Sequence, residues 1–236
     1  MTGKWWIVTA VSLFIGSLFA GKSPVSGVNI DVLLVDPPVV EYKSGRELSP
    51  KTVAENRWLM IKVEYSVRDG GTNIKPQLMR SAGRYTLARG GFVDDLQFGI
   101  RVLQNTGISI AGKPLWGMYT GRTAFYTVRM DGKKHLLLMF IPGKLIDRYS
   151  CSASGGIRKV SKDDFKVEVR FSVGGRECFR KYRGVAGNKE FDELTEMVPV
   201  NMIVPGGVFT RSRTPWAFLG ADNFDVETDF PEHSGK

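Results

Sequence analysis

The stretch DFKVEVRFSV, residues 164–173, places Val167, Val169, Phe171 and Val173 at every second position, with Lys166, Glu168, Arg170 and Ser172 between them. A period of two sends alternate side chains to opposite faces of a sheet, so the segment reads as a strand with one apolar and one wet face. Such a strand needs an apolar partner layer, which points to sheet packed on sheet. Gly174 and Gly175 end the run, and the only two cysteines, Cys151 and Cys178, bracket it.

The same texture recurs upstream. Residues 28–35, VNIDVLLV, align Val28, Ile30, Val32 and Leu34 on one face, and Pro37 and Pro38 stop the ladder because proline has no N–H to donate. In residues 57–67, RWLMIKVEYSV, the residues Leu59, Ile61, Val63, Tyr65 and Val67 alternate with Lys62, Glu64 and Ser66. Trp58 and Met60 fall on the polar side, which predicts that a loop or the tail covers one end of that face. Residues 84–88 read as a short strand. Residues 92–105 fit a helix through Val93, Leu96 and Ile100 or a strand through Leu96, Phe98, Ile100 and Val102. The strand is preferred, with Gly99 marking a bulge or a close backbone approach. Residues 122–130 and 134–141 flank Asp131-Gly132-Lys133 and read as a hairpin whose second arm is central and covered on both faces. Residues 190–197 make the best short helix.

Many short strands with Gly, Pro and Asp turns predict an all-β fold, an immunoglobulin-like β-sandwich with long loops, one short helix and an extended C-terminal tail. The Cys-Trp-Cys order of antibody domains is absent, and a barrel is the alternative. The expected organisation is a signal peptide over 1–20, a linker over 21–27, the sandwich over 28–207 and an aromatic, acidic tail over 208–236.

The leader rests on MTGKWWIVTAVSLFIGSLFAGKS, residues 1–23, where Lys4 precedes an uncharged run from Trp5 to Ala20. Cleavage between Ala20 and Gly21 is expected, with retention as an anchor the other reading, although the run is shorter than the ~20 residues a spanning helix needs. No later apolar run is long enough to cross a bilayer. The chain is therefore expected in the periplasm, on the cell surface or outside the cell. In an oxidising compartment Cys151 and Cys178 are expected to form a disulfide, buried thiols being the alternative. Their separation excludes a C-x-x-C redox motif, and two histidines are too few for a structural zinc cluster.

The full chain carries a formal +9, which becomes +8 once Lys4 leaves with the leader. From Leu219 onward Asp222, Asp225, Glu227, Asp229 and Glu232 oppose only Lys236, a net −4, so residues 21–218 carry +12. A basic body can attract anionic glycans, acidic proteins or, less favourably, nucleic acid, and an acidic tail can fold back over part of it. Arg180, Lys181 and Arg183 around Tyr182 are the candidate polyanion contacts. In the tail, Trp216, Phe218 and Phe224 are candidates to dock along a sheet edge, in this chain or another.

Catalytic signals are weak. Residues 107–114, GISIAGKP, match the spacing G-x-x-x-x-G-K, but Pro114 stands where a hydroxyl should hold Mg²⁺ and no strand-to-helix context surrounds it. His135 has no locally placed serine, cysteine or carboxylate to make it a catalytic base. No catalytic, cofactor-binding or metal-ligating residue is assigned, and no cofactor is expected. A hydrolase would need carboxylates or a triad brought together from distant positions.

The leader followed by VNIDVLLVDPPVVEYKSG (28–45), RWLMIKVEYSV (57–67), FYTVRMDGKKHLLLMFIPGKLIDRY (125–149) and FKVEVRFSVGG (165–175) resembles secreted, immunoglobulin-like proteins encoded beside type IV pilus assembly genes in gut bacteria. The resemblance lies in strand texture along most of the chain and transfers no functional residue. It implies an exported, non-enzymatic cell-envelope protein acting in pilus assembly or adhesion, with envelope or pilus proteins, or further copies of itself, as partners. The alternative is a binding module for anionic glycans or other polyanions. The chain departs from the pilins themselves, since its apolar N-terminal run has no glutamate and no typical basic pilin leader precedes it.

Overall fold

The computed structural model describes residues 23–37, 57–68, 78–81, 84–87, 91–150, 156–218 and 227–228. The leader with Ala20 and Gly21, and the candidate residues Cys151 and Phe224, lie outside the described residues. The strands are β1 (Val25–Val35), β2 (Trp58–Val67), β3 (Leu78–Ser81), β4 (Arg84–Leu87), β5 (Phe92–Ile110), β6 (Lys113–Arg129), β7 (Lys134–Ile141), β8 (Phe165–Val173), β9 (Arg176–Arg183), β10 (Ile203–Val204), β11 (Phe209–Thr210) and β12 (Glu227–Thr228). Two short helices, α1 (Gly143–Arg148) and α2 (Asn188–Glu196), accompany them.

The strands form an all-β sandwich. One sheet runs β1-β2-β7-β11, the other β10-β6-β5-β8-β9 with β12 added on β6, and β3-β4 is a separate ladder. Val32, Ile61, Val63 and Met139 from the first sheet meet Leu96, Phe98, Val167 and Phe171 from the second, all 3% exposed or less. Tyr65 bridges the layers, its ring 5.0 Å from Phe171, which in turn meets Phe98 edge-on at 5.2 Å. Each fully buried aliphatic or aromatic side chain of this kind contributes ~1.5–3 kcal/mol, so the alternating pattern dictates which face of each strand turns inward.

Several expectations need correction. The segments around Asp131-Gly132-Lys133 do not pair as a hairpin, because β6 belongs to one sheet and β7 to the other. Both arms carry apolar residues that face each other across the core, so the turn crosses between layers. It is held by the Gly132 N–H donating to the Val67 carbonyl at 3.0 Å. Gly99 is no bulge, since β5 keeps regular register with β6 and β8 around it, and no close approach, since an added Cβ would meet nothing within 4 Å. The close approaches are at Gly117 and Gly121, where a Cβ would lie 2.7 Å from Tyr149 Cδ2 and 2.6 Å from the Val208 carbonyl oxygen. Among the described residues the α-helices number two, because Pro142 at the N-cap of α1 starts a turn that buries Ile146. The first sheet runs from β1, which begins at Val25, to β11, which pairs with β7 beyond Gly207.

Candidate functional site

The outer face of the second sheet is where sequence and structure differ most. Glu168, expected on the wet side of its strand, is completely buried. It accepts hydrogen bonds from Arg101 Nε on β5 and, at 3.4 Å, from the Tyr182 hydroxyl on β9. Arg170 lies 2.9 Å and Arg180 3.5 Å from the same carboxylate. The side chains converge because Arg101 and Tyr182 are the cross-strand partners of Glu168, and partners share a face. Helix α2 closes this face. Its Asp192 accepts from Arg101 Nη2 at 3.0 Å, its Phe191 ring sits 5.0 Å from the Arg101 guanidinium, and Phe191 packs with Leu103, Trp116 and Met118.

This arrangement divides the candidate polyanion residues. Arg180 is committed inward, donating to both Glu177 oxygens (2.8 and 2.6 Å) and to Asn188 Oδ1 (2.7 Å). The hydrogen bond from Arg180 holds the Glu177 carboxyl below its ordinary range, with the guanidinium charge adding to it. Lys181 and Arg183 partner Val169 and Val167 and so lie on the opposite face of the sheet, where Arg183 donates to the Lys162 carbonyl at 3.3 Å. The three do not form one patch. The structure instead aligns Arg122, Gly99 and Arg170 in one register row across β6, β5 and β8. Sequence reading missed this row because its members are far apart in the chain.

The β5–β6 pair forms a projecting arm. Pairing of β5 with β8 ends at Gln104 opposite Phe165, and β10 pairs β6 only at Met118 and Tyr119. Between Thr106 and Leu115, among the described residues, the arm pairs only with itself. Residues 107–114 are all exposed, with Ile110 at 62%. The stretch with phosphate-loop spacing is therefore a hairpin tip: Ala111 and Gly112 both have positive φ (51° and 78°), as a two-residue turn between twisted strands requires. Behind the tip a shift in register is bridged by Thr106, whose hydroxyl donates to the Leu115 carbonyl and accepts from the Ile108 N–H. The arm's base is anchored by a buried polar cluster. Gln104 Nε2 donates to the Ile146 carbonyl (3.0 Å) and to Ser150 Oγ (2.8 Å), and the Tyr119 hydroxyl donates to Gln104 Oε1 (2.6 Å). Burial pushes the Tyr119 phenol far above its ordinary range, so it stays a donor.

The fold has a solved counterpart. A crystal structure from Akkermansia muciniphila aligns with a TM-score of 0.56 at 13% identity, over 91% of this chain and 98% of that one. The two chains share a fold. No protein family matches the sequence, and no curated relative does.

The remaining candidates fall elsewhere on this scaffold. Trp216 stacks on Phe140 of β7, with centroids 4.6 Å apart, and meets Trp58 of β2 edge-on at 5.3 Å. It sits on the otherwise polar face of the first sheet, and Phe218 ends the same turn. Cys178 is a free thiol, half-buried, whose Sγ lies 3.4 Å from the Phe171 carbonyl oxygen, and burial raises its pKa. Its expected partner in a disulfide, Cys151, lies outside the described residues. An open cavity of about 380 Å³ is lined by Leu34, Arg57, Ile146, Asp147 and Arg158 among others. Arg57 is paired with Asp36 and Arg158 with Asp164, leaving Asp147, raised by burial, as the one lining carboxylate. Among the described residues no three His, Cys, Asp or Glu side chains converge as a metal site.

Proposed function

We propose that this chain is an exported, non-enzymatic cell-envelope protein that works through protein–protein contacts, as a pilus-associated structural, assembly or adhesion factor. The observation that carries the reading is the β5–β6 arm, whose tip presents Ile108 and Ile110 to solvent beyond the rest of its sheet. Exposed apolar side chains on a ribbon with open edges are what a partner strand can bury and pair with. The base of the arm is rigid, since Gln104, Tyr119 and Ser150 tie it to α1, so the tip is held out without an ordering cost at the moment of contact. The sandwich fold and the strand texture shared with secreted pilus-associated proteins support the same reading.

The test is affinity capture from envelope extract with the mature chain, residues 21–236, against the Ile108→Asp/Ile110→Asp variant, at moderate and high salt. Pilus-assembly or other envelope proteins should be recovered by the wild type at both salts and lost by the variant. Recovery of polyanions alone, at moderate salt only, would overturn the reading. Export is checked by the mass of the chain recovered from the envelope, which should begin at Gly21.

A further inference from the structure

The β5–β6 arm has two edges, and only one of them can take a further strand. The turn at Ala111 and Gly112 sets Ile110 opposite Lys113 and Ser109 opposite Pro114. Opposed residues of an antiparallel pair either exchange both backbone hydrogen bonds or turn those groups away from each other. Proline has no N–H to exchange, so Ser109 and Pro114 form a pair of the second kind. Their backbone groups therefore point out of the ribbon, in opposite directions. Ser109 offers its edge a donor and an acceptor. Pro114 offers an acceptor alone, which is how sheet edges are closed to added strands. Nearer the base, the turn Val200–Met202 packs against β6 ahead of β10 and covers that side as well.

Among the described residues no strand pairs with the β5 edge beyond Gln104, where β8 stops. The Gly107 and Ile108 N–H groups donate to the side chains of Asn105 and Thr106. Ser109 is thus the residue between the register shift and the turn that offers both backbone groups. A strand centred opposite Ser109 sets its two neighbouring side chains beside Ile108 and Ile110, which are 36% and 62% exposed. Leu115 and Lys113 belong to the same face, since Lys113 lies opposite Ile110 and Leu115 two residues on. Lys113 is also the one charged side chain from Thr106 to Leu115. At the other end of the edge, the turn Lys162–Asp164 packs against β5. There Asp164 pairs with Arg158, and Lys162 adjoins Asp163. The net charge that an added strand meets along β5 is therefore positive and lies at the tip.

We propose that the partner of the arm is an extended protein segment that adds to the β5 edge opposite Ser109, with apolar side chains beside Ile108 and Ile110 and an acidic one next to Lys113. The proposal rests on the envelope reading for its surface, to which it adds an edge and a partner chemistry. Main-chain pairing at Ser109 supplies the contact, and the isoleucine face with Lys113 selects the sequence.

The test uses the full mature chain and a labelled synthetic peptide, Glu-Thr-Val-Thr-Val-Thr-Glu, followed by fluorescence anisotropy. With its central threonine opposite Ser109, both valines and both glutamates fall on the isoleucine face. Binding should weaken several-fold when lysines replace the glutamates. It should weaken about tenfold, the loss of a hydrogen bond, when the central threonine is N-methylated or when the chain carries Ser109→Pro. The melting temperature of Ser109→Pro should match that of the wild type, because the Ser109 N–H points out of the ribbon. Pro114→Ser should bind no less than the wild type. Hydrogen exchange at the Ser109 amide of the wild type should slow when the peptide is added, a readout that needs no variant. No binding, no slowing at Ser109, or equal binding of the N-methylated peptide would overturn the proposal. Capture from envelope extract separates it from the reading on which it rests. Partners lost by Ile108→Asp/Ile110→Asp but kept by Ser109→Pro would leave the envelope reading standing and sink strand addition, whereas partners kept by Ile108→Asp/Ile110→Asp would sink the envelope reading itself.

Discussion

The fully buried carboxylate of Glu168 accepts a hydrogen bond from Arg101 Nε across the β5–β8 ladder. Removing one partner of a buried ion pair leaves the other desolvated without compensation, which costs more than the intact pair ever contributes. Glu168→Ala should therefore lower stability by about 3 kcal/mol or more, because Arg101, Arg170 and Arg180 would be left to repel one another. Glu168→Gln, which keeps the shape and part of the hydrogen bonding, should cost less. Urea titration of both variants checks the order, and equal losses would mean that charge is not what the cluster depends on.

Acid should weaken the same region through Glu177. Its folded-state pKa lies below the ordinary value of 4.5, chiefly because Arg180 donates to it. A depressed carboxylate contributes stability that is present above its unfolded pKa and is lost as pH falls through the folded value. Melting temperature should thus fall on acidification below about 4.5, and Glu177→Gln should flatten that part of the profile by lowering the neutral-range melting temperature towards the acid value. Parallel profiles for the two proteins would show that Glu177 is not linked to folding.

Two outwardly similar strand glycines should respond in opposite ways. At Gly121 a methyl group would strike the Val208 carbonyl oxygen at 2.6 Å, and a backbone atom cannot swing aside. Gly121→Ala should cost about 1–3 kcal/mol, the usual penalty of overpacking. At Gly99 the space is open, so Gly99→Ala should be neutral or stabilise by about 0.5–1 kcal/mol, as replacing a strand glycine does when nothing clashes. Chemical denaturation of the two single variants decides the matter.

Trp216 stacks face to face on Phe140, at 14° between the rings. Aromatic pairs of this kind add ~0.5–1.5 kcal/mol beyond the area they bury. Trp216→Ala should accordingly destabilise the chain by about 1–3 kcal/mol, Trp216→Phe by less. The unfolding midpoint in urea is the readout, and an unchanged midpoint for Trp216→Ala would show that the stack forms no part of the cooperative fold.

What was legible in the sequence followed from the period of two. The strands around Ile30, Ile61 and Val169 were readable because their inward residues alternate without interruption, and Trp58 and Met60 signalled a covered outer end before Trp216 was placed there. Pairing was less legible. The turn at Gly132 has hairpin composition, yet whether its arms lie side by side or face to face depends on partners remote in sequence, here Val67 for the turn and β2 and β5 for the arms. Glu168 resembled an ordinary wet-face residue for the same reason. Its burial comes from α2 and from Arg101, 67 positions away. The arginine row through Gly99 exists only once three strands are in register, so no local motif could announce it.

The late strand β11 has a consequence for the order in which such a chain folds. Val208 donates to the Thr120 carbonyl of the second sheet, while Phe209 and Thr210 pair with Phe140 and Met139 of the first. The buried residues on which the two layers meet run from Val25 to Phe171, with Val208 the one later member, so β11 adds a late clasp across layers packed by earlier strands. Contacts this distant in sequence form slowly, because the loop between them must be ordered first. The sandwich is thus clasped from its far end.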